Sequence, residues 1–494
     1  MDYDVIIIGG GVTGCCIART LSRYDLKICL LEKEADISSG TTKANSGVIH
    51  AGYAADRKYK KRNFCIRGNS MYDQAQKELN FPFKRIGTFV VALEEHQIRD
   101  LVFKRNYGTE DGVPGLEIII DKKRIKQMEP ALSDKVIAVL HAPSGGIVSP
   151  YELTFALAEN ANMNGVNFFR EHEVIGINKI VAGFEVETKP RKFTSRIVIN
   201  AAGLYAAEVA RMLDLDNFDI YPRRGEYILF DKNIIRLNKV LFPMPTRLSK
   251  GILVSPTIHG HVFIGPNADN ILDIDDISTT TGGLKEIISG GLKLVPSLPL
   301  NKAIRNFAGL RAVSNTMDFV IEATEMVGFV NAAGILSPGL TSVFAIAEEV
   351  VRILIEDLGE DLKEKENYNP YRSEPEHLSD LSKIRLDQKI KKNPAWGRII
   401  CRCETIPEAE IIDAIRRPVG ARTIDGVKFR CRAGMGRCQG GFCMPRVMEI
   451  LARELNIPYE EVTKRGKGSQ YLVNKVLCME MTEKSEKTEE AAIK

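Results

Sequence analysis

The sequence has no run near the roughly 20 consecutive apolar residues that a membrane-spanning helix needs. Nor does it hold an excess of either charge: 68 Lys and Arg stand against 64 Asp and Glu, a formal net charge of +4. The first absence argues against a transmembrane segment, and the second removes any electrostatic argument for a nucleic-acid partner. A secretion signal is missing too, because the apolar run at residues 5–8 is short and flows into glycines without a basic region or a small-residue cleavage site. The chain therefore reads as cytoplasmic, with peripheral attachment to the inner face of a membrane left open. No internal repeat is evident, and 44% hydrophobic with 27% charged residues excludes wholesale disorder. At 494 residues the chain exceeds one ordinary core, so two or three domains are expected.

Its ten cysteines are unevenly spread. Cys15, Cys16, Cys29 and Cys65 lie early, in apolar or helix-like contexts. Cys401, Cys403, Cys431, Cys438 and Cys443 crowd one stretch near the other end, and Cys478 stands alone. In an intracellular chain such clustering points to a metal rather than to disulfides.

Residues 3–8, rich in Val and Ile, read as a fully buried strand. They run into Gly9-Gly10-Gly11-Val12-Thr13-Gly14, which contains G-x-G-x-x-G. Residues 15–23 read as a helix, and 27–31 as a second buried strand ending at Glu32. Strand, glycine turn, helix, strand and an acidic residue about 20 positions on describe a dinucleotide site. Gly9 makes the tight turn, Gly11 lets the backbone approach a pyrophosphate, and Gly14 lets helix and strand pack closely. The helix N-terminus, at Val12 and Thr13, offers N–H groups and partial positive charge to the phosphates. Glu32 accepts the ribose hydroxyls, and Lys33 beside it joins the cofactor set. FAD and nicotinamide cofactors share this ADP half, so the motif alone leaves both open.

Three further elements follow in order. They are Thr41-Thr42-Lys43-Ala44-Asn45-Ser46-Gly47-Val48-Ile49-His50-Ala51-Gly52, Asn200-Ala201-Ala202-Gly203, and Asn331-Ala332-Ala333-Gly334 through Ser337-Pro338-Gly339-Leu340-Thr341-Ser342. They resemble the second, third and last signatures of the D-amino-acid-oxidase-like FAD superfamily, over residues 1 to about 360. The resemblance implies FAD and adds Thr41, Thr42, Asn45, Ser46, Gly47, Val174, Ala202, Gly203, Gly309, Gly334, Gly339, Leu340 and Thr341 to its site, with Val174 where the backbone touches adenine. It also implies a Rossmann-like α/β FAD-binding domain assembled from residues 1–85, 146–218 and 305–360. An α+β, β-rich substrate domain would be interleaved at 86–145 and 219–304. The last element also has a physical reading: a strand at 327–332, a glycine-rich loop, then a long apolar helix from near Leu340. The helix N-terminus would face the negatively charged reduced flavin; the alternative is that Gly334 and Gly339 only make a turn.

Within that superfamily the likeness is to glycerol-3-phosphate dehydrogenases of the anaerobic, multi-subunit type and to L-2-hydroxyglutarate dehydrogenases. Residues 45–52 and Arg224-Gly225-Glu226-Tyr227 look most like the latter. Gly309-Leu310-Arg311 resembles the Gly-x-Arg of both, whose arginine binds the substrate's anionic end. His50 is the candidate base, because imidazole works near neutral pH. Arg311 offers a bidentate fork for carboxylate or phosphate. Arg224 and Tyr227 would add donors over the flavin, with Arg223 the rival inward residue. His259 and His261 alternate in a strand-like run and read as ordinary sheet residues. In one departure, glycerol-3-phosphate enzymes carry an arginine shortly after the histidine motif, whereas this chain has Tyr53-Ala54-Ala55. Arg57, Lys58 or Arg223 would have to replace it.

Residues 361–396, charged and broken by Asn369-Pro370 and Glu374-Pro375, read as a linker or an exposed wrapping segment. A module at 397–460 then carries Cys401-Arg402-Cys403-Glu404 and, about thirty residues on, Cys431 through Cys438-Gln439-Gly440-Gly441-Phe442-Cys443. Residues 407–416 read as a helix, with Glu408 and Glu410 outward and Ile411, Ile412 and Ile415 inward; residues 444–455 read as another. A C-x-C and a C-x4-C pair supply thiolates enough for a [2Fe–2S] cluster, with zinc the alternative. The pattern resembles the small, helical bacterioferritin-associated-ferredoxin-like [2Fe–2S] domain, which implies Cys401, Cys403, Cys438 and Cys443 as ligands and Cys431 as a bystander. Residues 461–494 form a tail, Lys/Glu-rich from 481 on and expected to be disordered or a solvated helix.

These features imply an FAD-dependent dehydrogenase for a small anionic substrate, which exports single electrons to a second flavoprotein or other acceptor subunit. Glycerol 3-phosphate leads as substrate, followed by L-2-hydroxyglutarate or another 2-hydroxy acid and then by proline. A non-catalytic electron-transfer subunit is the remaining alternative.

Overall fold

The computed structural model describes residues 1–245 and 251–472. Cys478 and the expectation for residues 481–494 lie outside the described residues.

The first large sheet grows from the two strands expected at the N-terminus. Tyr3–Ile8 lies between Ile28–Leu31 and Lys192–Asn200, and Asn167–Phe169 and Phe329–Ala333 extend the parallel set at either side. Strands covered on both faces need apolar side chains throughout. One face packs against helices Val12–Leu21, Pro150–Met163 and Gly339–Arg352, and the other against helix Ala206–Arg211. The carboxyl ends of the parallel strands, at Ile8, Leu31, Asn200 and Ala333, open to one side, where doubly wound sheets bind ligands.

A second sheet is built on two long antiparallel strands, Ile220–Phe230 and Ala303–Ser314. Their register sets Arg223 opposite Arg311, Gly225 opposite Gly309 and Tyr227 opposite Phe307. Shorter strands extend this sheet to Glu117–Ile119, and helix Thr281–Leu294 packs on it. The fold is thus an α/β cofactor-binding body with a β-rich second sheet and a small, helical C-terminal module.

That module has helices Glu408–Arg416, Ile424–Cys431 and Met444–Leu455 around a core of Ile411, Val427, Val447 and Leu451. Glu408 and Glu410 do not face outward as expected; they are 5% and 4% exposed. Glu410 accepts from His377 Nδ1 at 2.9 Å and from the Leu378 amide at 2.7 Å, while Glu408 pairs with Arg398 and Arg453. Helical periodicity missed this because His377 and Leu378 of the preceding segment fold over Glu410, while Arg398 and Arg453 of the module itself reach over to Glu408. Within that segment, Arg372 is buried against Glu159 of helix Pro150–Met163 at 2.7 Å, and Arg417 of the module reaches the same carboxylate at 2.8 Å.

Burial alone would raise the Glu159 carboxyl, but Arg372 and Arg417 outweigh it and hold the group below the usual carboxylate range. A depressed carboxylate stabilises the fold above its unfolded value of about 4.3, and that contribution is lost as pH falls through the folded value. Arg372→Ala removes one partner of a buried pair, so it should cost about 3 kcal/mol of stability at neutral pH. The wild type should approach the variant as pH drops below about 4, as thermal unfolding followed against pH will show.

Candidate functional site

A cavity of about 920 Å³ opens at the carboxyl ends of the parallel strands and extends to the paired long strands of the second sheet. Its shape begins in the backbone. Gly9 has φ +109, and a Cβ there would lie 2.4 Å from the Ala201 carbonyl oxygen of the neighbouring strand connection. A Cβ on Gly14 would sit 2.0 Å from the Gly9 oxygen, so this glycine serves close helix–strand packing and does not itself line the cavity. Gly11, Val12 and Thr13 do line it. Glu32 accepts the Gly10 amide at 2.7 Å and the Glu34 amide at 2.9 Å. Burial pushes its carboxyl up to about 7, even though both amides favour the charged form. Lys33 lines the wall with its ammonium 3.6 Å over the Tyr205 ring.

The loop after Ser39 is tied to both sheets. Thr42 Oγ1 accepts the Val12 amide at 3.0 Å, and Thr41 Oγ1 donates to the Leu310 carbonyl at 2.7 Å. Asn45 braces its own turn, donating to the Thr42 carbonyl and accepting the Gly47 amide, both at 2.8 Å. Gly309 has no room for a side chain, since a Cβ there would lie 1.9 Å from the Ala44 oxygen. Ser46, Gly47, Val174, Ala202, Gly203, Gly339 and Leu340 complete the expected lining. Two other expected residues do not reach the cavity. Gly334, with φ +63, makes a turn beside Ser314. Thr341 is buried behind the wall, where its Oγ1 accepts the His50 amide at 2.9 Å.

At the end near the second sheet, His50, Tyr227, Arg223 and Arg311 share the lining. His50 Nε2 lies 3.4 Å from Ser337 Oγ, and its ring packs against Phe242 with centroids 5.8 Å apart. Tyr227 stacks on Phe307 at 4.8 Å, with its hydroxyl 3.3 Å from Ser46 Oγ; burial pushes its phenol up, so it stays protonated. Arg311 donates to the carbonyls of Asn267 and Arg224, at 3.1 and 3.3 Å.

Arg224 is corrected to a structural residue. Alternation along Ile220–Phe230 turns Arg223 and Tyr227 to the cavity and Arg224 to the opposite face. There Arg224 meets Asp276 at 2.7 Å and Asp269 at 2.8 Å. Of the proposed phosphate replacements, Arg57 is tied to Glu110 and Asp111 and Lys58 lies over Tyr59, whereas Arg223 faces the cavity. His259 and His261 precede strand Val262–Gly265; His259 contacts Glu152 at 2.6 Å, and His261 lies 3.9 Å from Glu404 of the C-terminal module.

In that module the four expected thiols fall into two pairs. Cys403 and Cys438 have their sulfurs 3.6 Å apart, and Cys443 hydrogen-bonds to buried Cys401 and thereby lowers its thiol below the ordinary range. Cys431 instead donates to the Val427 carbonyl of its own helix at 3.3 Å, with burial pushing its thiol up to about 12. Two thiol pairs match a cluster with two iron atoms, each needing two protein ligands. Cys438 is exposed, as is Phe442 nearby, over which Arg402 lies at 4.5 Å. The module is anchored by Arg430, which pairs with Asp36 at 2.8 Å and lies 3.8 Å over the Phe155 ring. Arg305, on the strand that carries Arg311, reaches Gln439 next to Cys438 at 3.3 Å.

Comparison with known proteins identifies the family of both parts of the chain. The FAD dependent oxidoreductase family model matches residues 4–353, and the BFD-like [2Fe-2S] binding domain matches residues 399–453. The chain therefore belongs to the FAD dependent oxidoreductase family, and it is an FAD-dependent enzyme with a [2Fe–2S] binding domain at its C-terminal end. It is 47% identical to a glycerol 3-phosphate dehydrogenase of Caloramator mitchellensis, over 95% of this chain and 98% of the relative. With a subunit of the anaerobic glycerol-3-phosphate dehydrogenase of Escherichia coli (strain K12) it shares 26% identity over 91% of this chain and 88% of that one. Among solved structures, the dithionite-reduced, FAD-bound L-alpha-glycerophosphate oxidase of Mycoplasma pneumoniae matches with a TM-score of 0.72 and 32% identity, covering 76% of this chain and 99% of that one.

Proposed function

We propose that this enzyme oxidises sn-glycerol 3-phosphate at C2 to dihydroxyacetone phosphate and passes the electrons through its [2Fe–2S] cluster to a partner subunit. The observation that carries this reading is the Arg223–Arg311 pair. The two residues are directly opposite in register and both line the cavity. Like charges facing each other across a sheet are destabilising unless an anion lies between them. Among the described residues, neither has a carboxylate partner: Arg223 is held by Asn270 at 2.7 Å, and Arg311 by backbone carbonyls and the Tyr227 side chain. Two guanidinium forks suit a phosphate dianion, and Arg223 takes the place of the arginine missing after the histidine motif. The relatives named for glycerol 3-phosphate support the same substrate.

When bound, FAD supplies the two-electron acceptor and the cluster the one-electron relay. The glycine loop, Glu32 and the loop from Thr41 to Gly47 hold the cofactor. The carbinol loses two electrons and two protons, and His50 takes the hydroxyl proton at Nε2. The Thr341 hydroxyl and the Asn69 amide fix the backbone of His50, which orients the imidazole. Tyr227 donates to the substrate oxygen as a protonated phenol, and Arg223 and Arg311 set the distance from phosphate to C2.

Electrons leave at the exposed Cys438 edge, toward a second flavoprotein or other acceptor subunit. The Escherichia coli relative, named as one subunit of its enzyme, supports such an assembly. Among the described residues no helix is long and apolar enough to cross a membrane. The nine described cysteines form no disulfide, which supports a site of action in the cytoplasm.

Anaerobic mixing tests the reading. Glycerol 3-phosphate should bleach the flavin, and L-2-hydroxyglutarate, lactate and proline should not. Arg311→Ala should raise KM for glycerol 3-phosphate about 100-fold, and Arg223→Ala about tenfold. Bleaching by L-2-hydroxyglutarate alone would overturn the substrate assignment.

A further inference from the structure

The cofactor cavity has a wall that does not belong to the FAD-binding body. Arg465, beyond the last helix of the cluster module, lines it together with Ser39, Gly40, Thr41, Thr42 and Lys43. A compact turn holds Arg465 there. The Arg465 amide donates to Ser469 Oγ at 2.9 Å, the Gly466 amide to Thr463 Oγ1 at 3.2 Å, and the Lys464 amide to the Ser469 carbonyl at 2.8 Å. The turn is fastened to its own module, since the Ile424 and Asp425 amides donate to the carbonyls of Thr463 and Lys464. It is pressed equally hard on the body. Gly466 has φ +116, and a Cβ there would lie 2.7 Å from Cβ of Ala35, three residues after Glu32.

Two cations therefore meet on one side of the cavity, one from each part of the chain. Among the described residues neither Lys43 nor Arg465 forms a salt bridge, although Asp425 and Glu34 are near enough to act on Lys43. Burial lowers the Lys43 ammonium, and Arg465 pushes it the same way. Asp425 and Glu34 offset these like charges only in part, and the remainder is what an anionic ligand relieves. The adjacent Ser39–Thr42 loop and the glycine turn are the parts of this site suited to a diphosphate.

We propose that Arg465 of the cluster module is a ligand of the FAD diphosphate, acting beside Lys43, so that docking of the module and retention of the flavin reinforce each other. The guanidinium adds a planar fork of charge-assisted donors to the single ammonium of Lys43. Bound FAD in turn stabilises the docked module by mass action, because it favours the arrangement it binds best.

The test is a titration of the deflavinated full-length protein, its cluster absorbance intact, with FAD, ADP and adenosine. Arg465→Ala should weaken FAD and ADP about tenfold, the lower end for a charge-assisted contact at an exposed position. It should leave adenosine unchanged, and Arg465→Lys should restore part of the loss. Gly466→Ala, which pushes the turn off Ala35, should reproduce the defect with Arg465 still present. Unchanged FAD affinity in Arg465→Ala overturns the proposal, as does an equal loss for adenosine, which would assign the effect to closure of the cavity rather than to the diphosphate.

Discussion

Replacing His50 with asparagine should lower the rate of flavin reduction by substrate about 10²- to 10⁴-fold, the range that a positioned general base contributes. Asparagine keeps a polar group of similar reach but cannot take a proton near neutral pH. The backbone of His50 is anchored independently of its ring, through the Thr341 hydroxyl and the Asn69 amide. The variant should therefore keep the loop, the flavin spectrum and the affinity for FAD. Stopped-flow reduction under anaerobic conditions isolates the step from everything downstream. The acidic limb of the rate profile, where an imidazole must lose its proton to act, should vanish with the side chain. A loss smaller than tenfold, with that limb unchanged, would move the proton to another acceptor.

The second large effect concerns the thiols. Cys438→Ser should abolish the visible absorption of the cluster, because Cys401, Cys403, Cys438 and Cys443 would hold it and one of those four thiolates would be lost. Cys431→Ser should leave that absorption intact, since the Cys431 thiol is bonded into its own helix turn and buried there. In Cys438→Ser the substrate should still bleach the flavin, while transfer to a one-electron acceptor should fall to near zero. Loss of the cluster in Cys431→Ser with retention in Cys438→Ser would reverse the ligand assignment.

The sites were legible in unequal measure for physical reasons. The glycine turn, Glu32 and the 41–52 loop are short contiguous pieces whose chemistry depends on local backbone geometry, so the sequence carries them whole. The same holds for the C-x-C and C-x4-C pairs. Thr341 and Gly334 sit inside equally recognisable motifs but serve as a hydrogen-bond acceptor behind His50 and as a turn. A motif marks a segment; it does not say which of its side chains face the ligand. Arg223 and Arg224 are neighbours of identical type, and nothing local distinguishes them. Strand alternation and the pairing with Ala303–Ser314 send one to the cavity and the other to Asp269 and Asp276.

Glu408 and Glu410 teach the same lesson from a helix. Periodicity puts charged positions on the solvent face only if nothing else covers it; the segment around His377 covers Glu410, and Arg398 and Arg453 cover Glu408. Arg465 had no signal in the sequence at all, because its relation to the cavity exists only once the cluster module has docked on Asp36 and Phe155. By itself, then, the sequence determined a dinucleotide site and a set of metal-binding thiols, since both depend on contiguous backbone and thiol spacing, while its resemblances implied that these hold a flavin and a [2Fe–2S] cluster. Tertiary structure decided which arginines face the cavity and that the C-terminal module contributes to its wall, since both depend on register and docking between residues far apart in the chain.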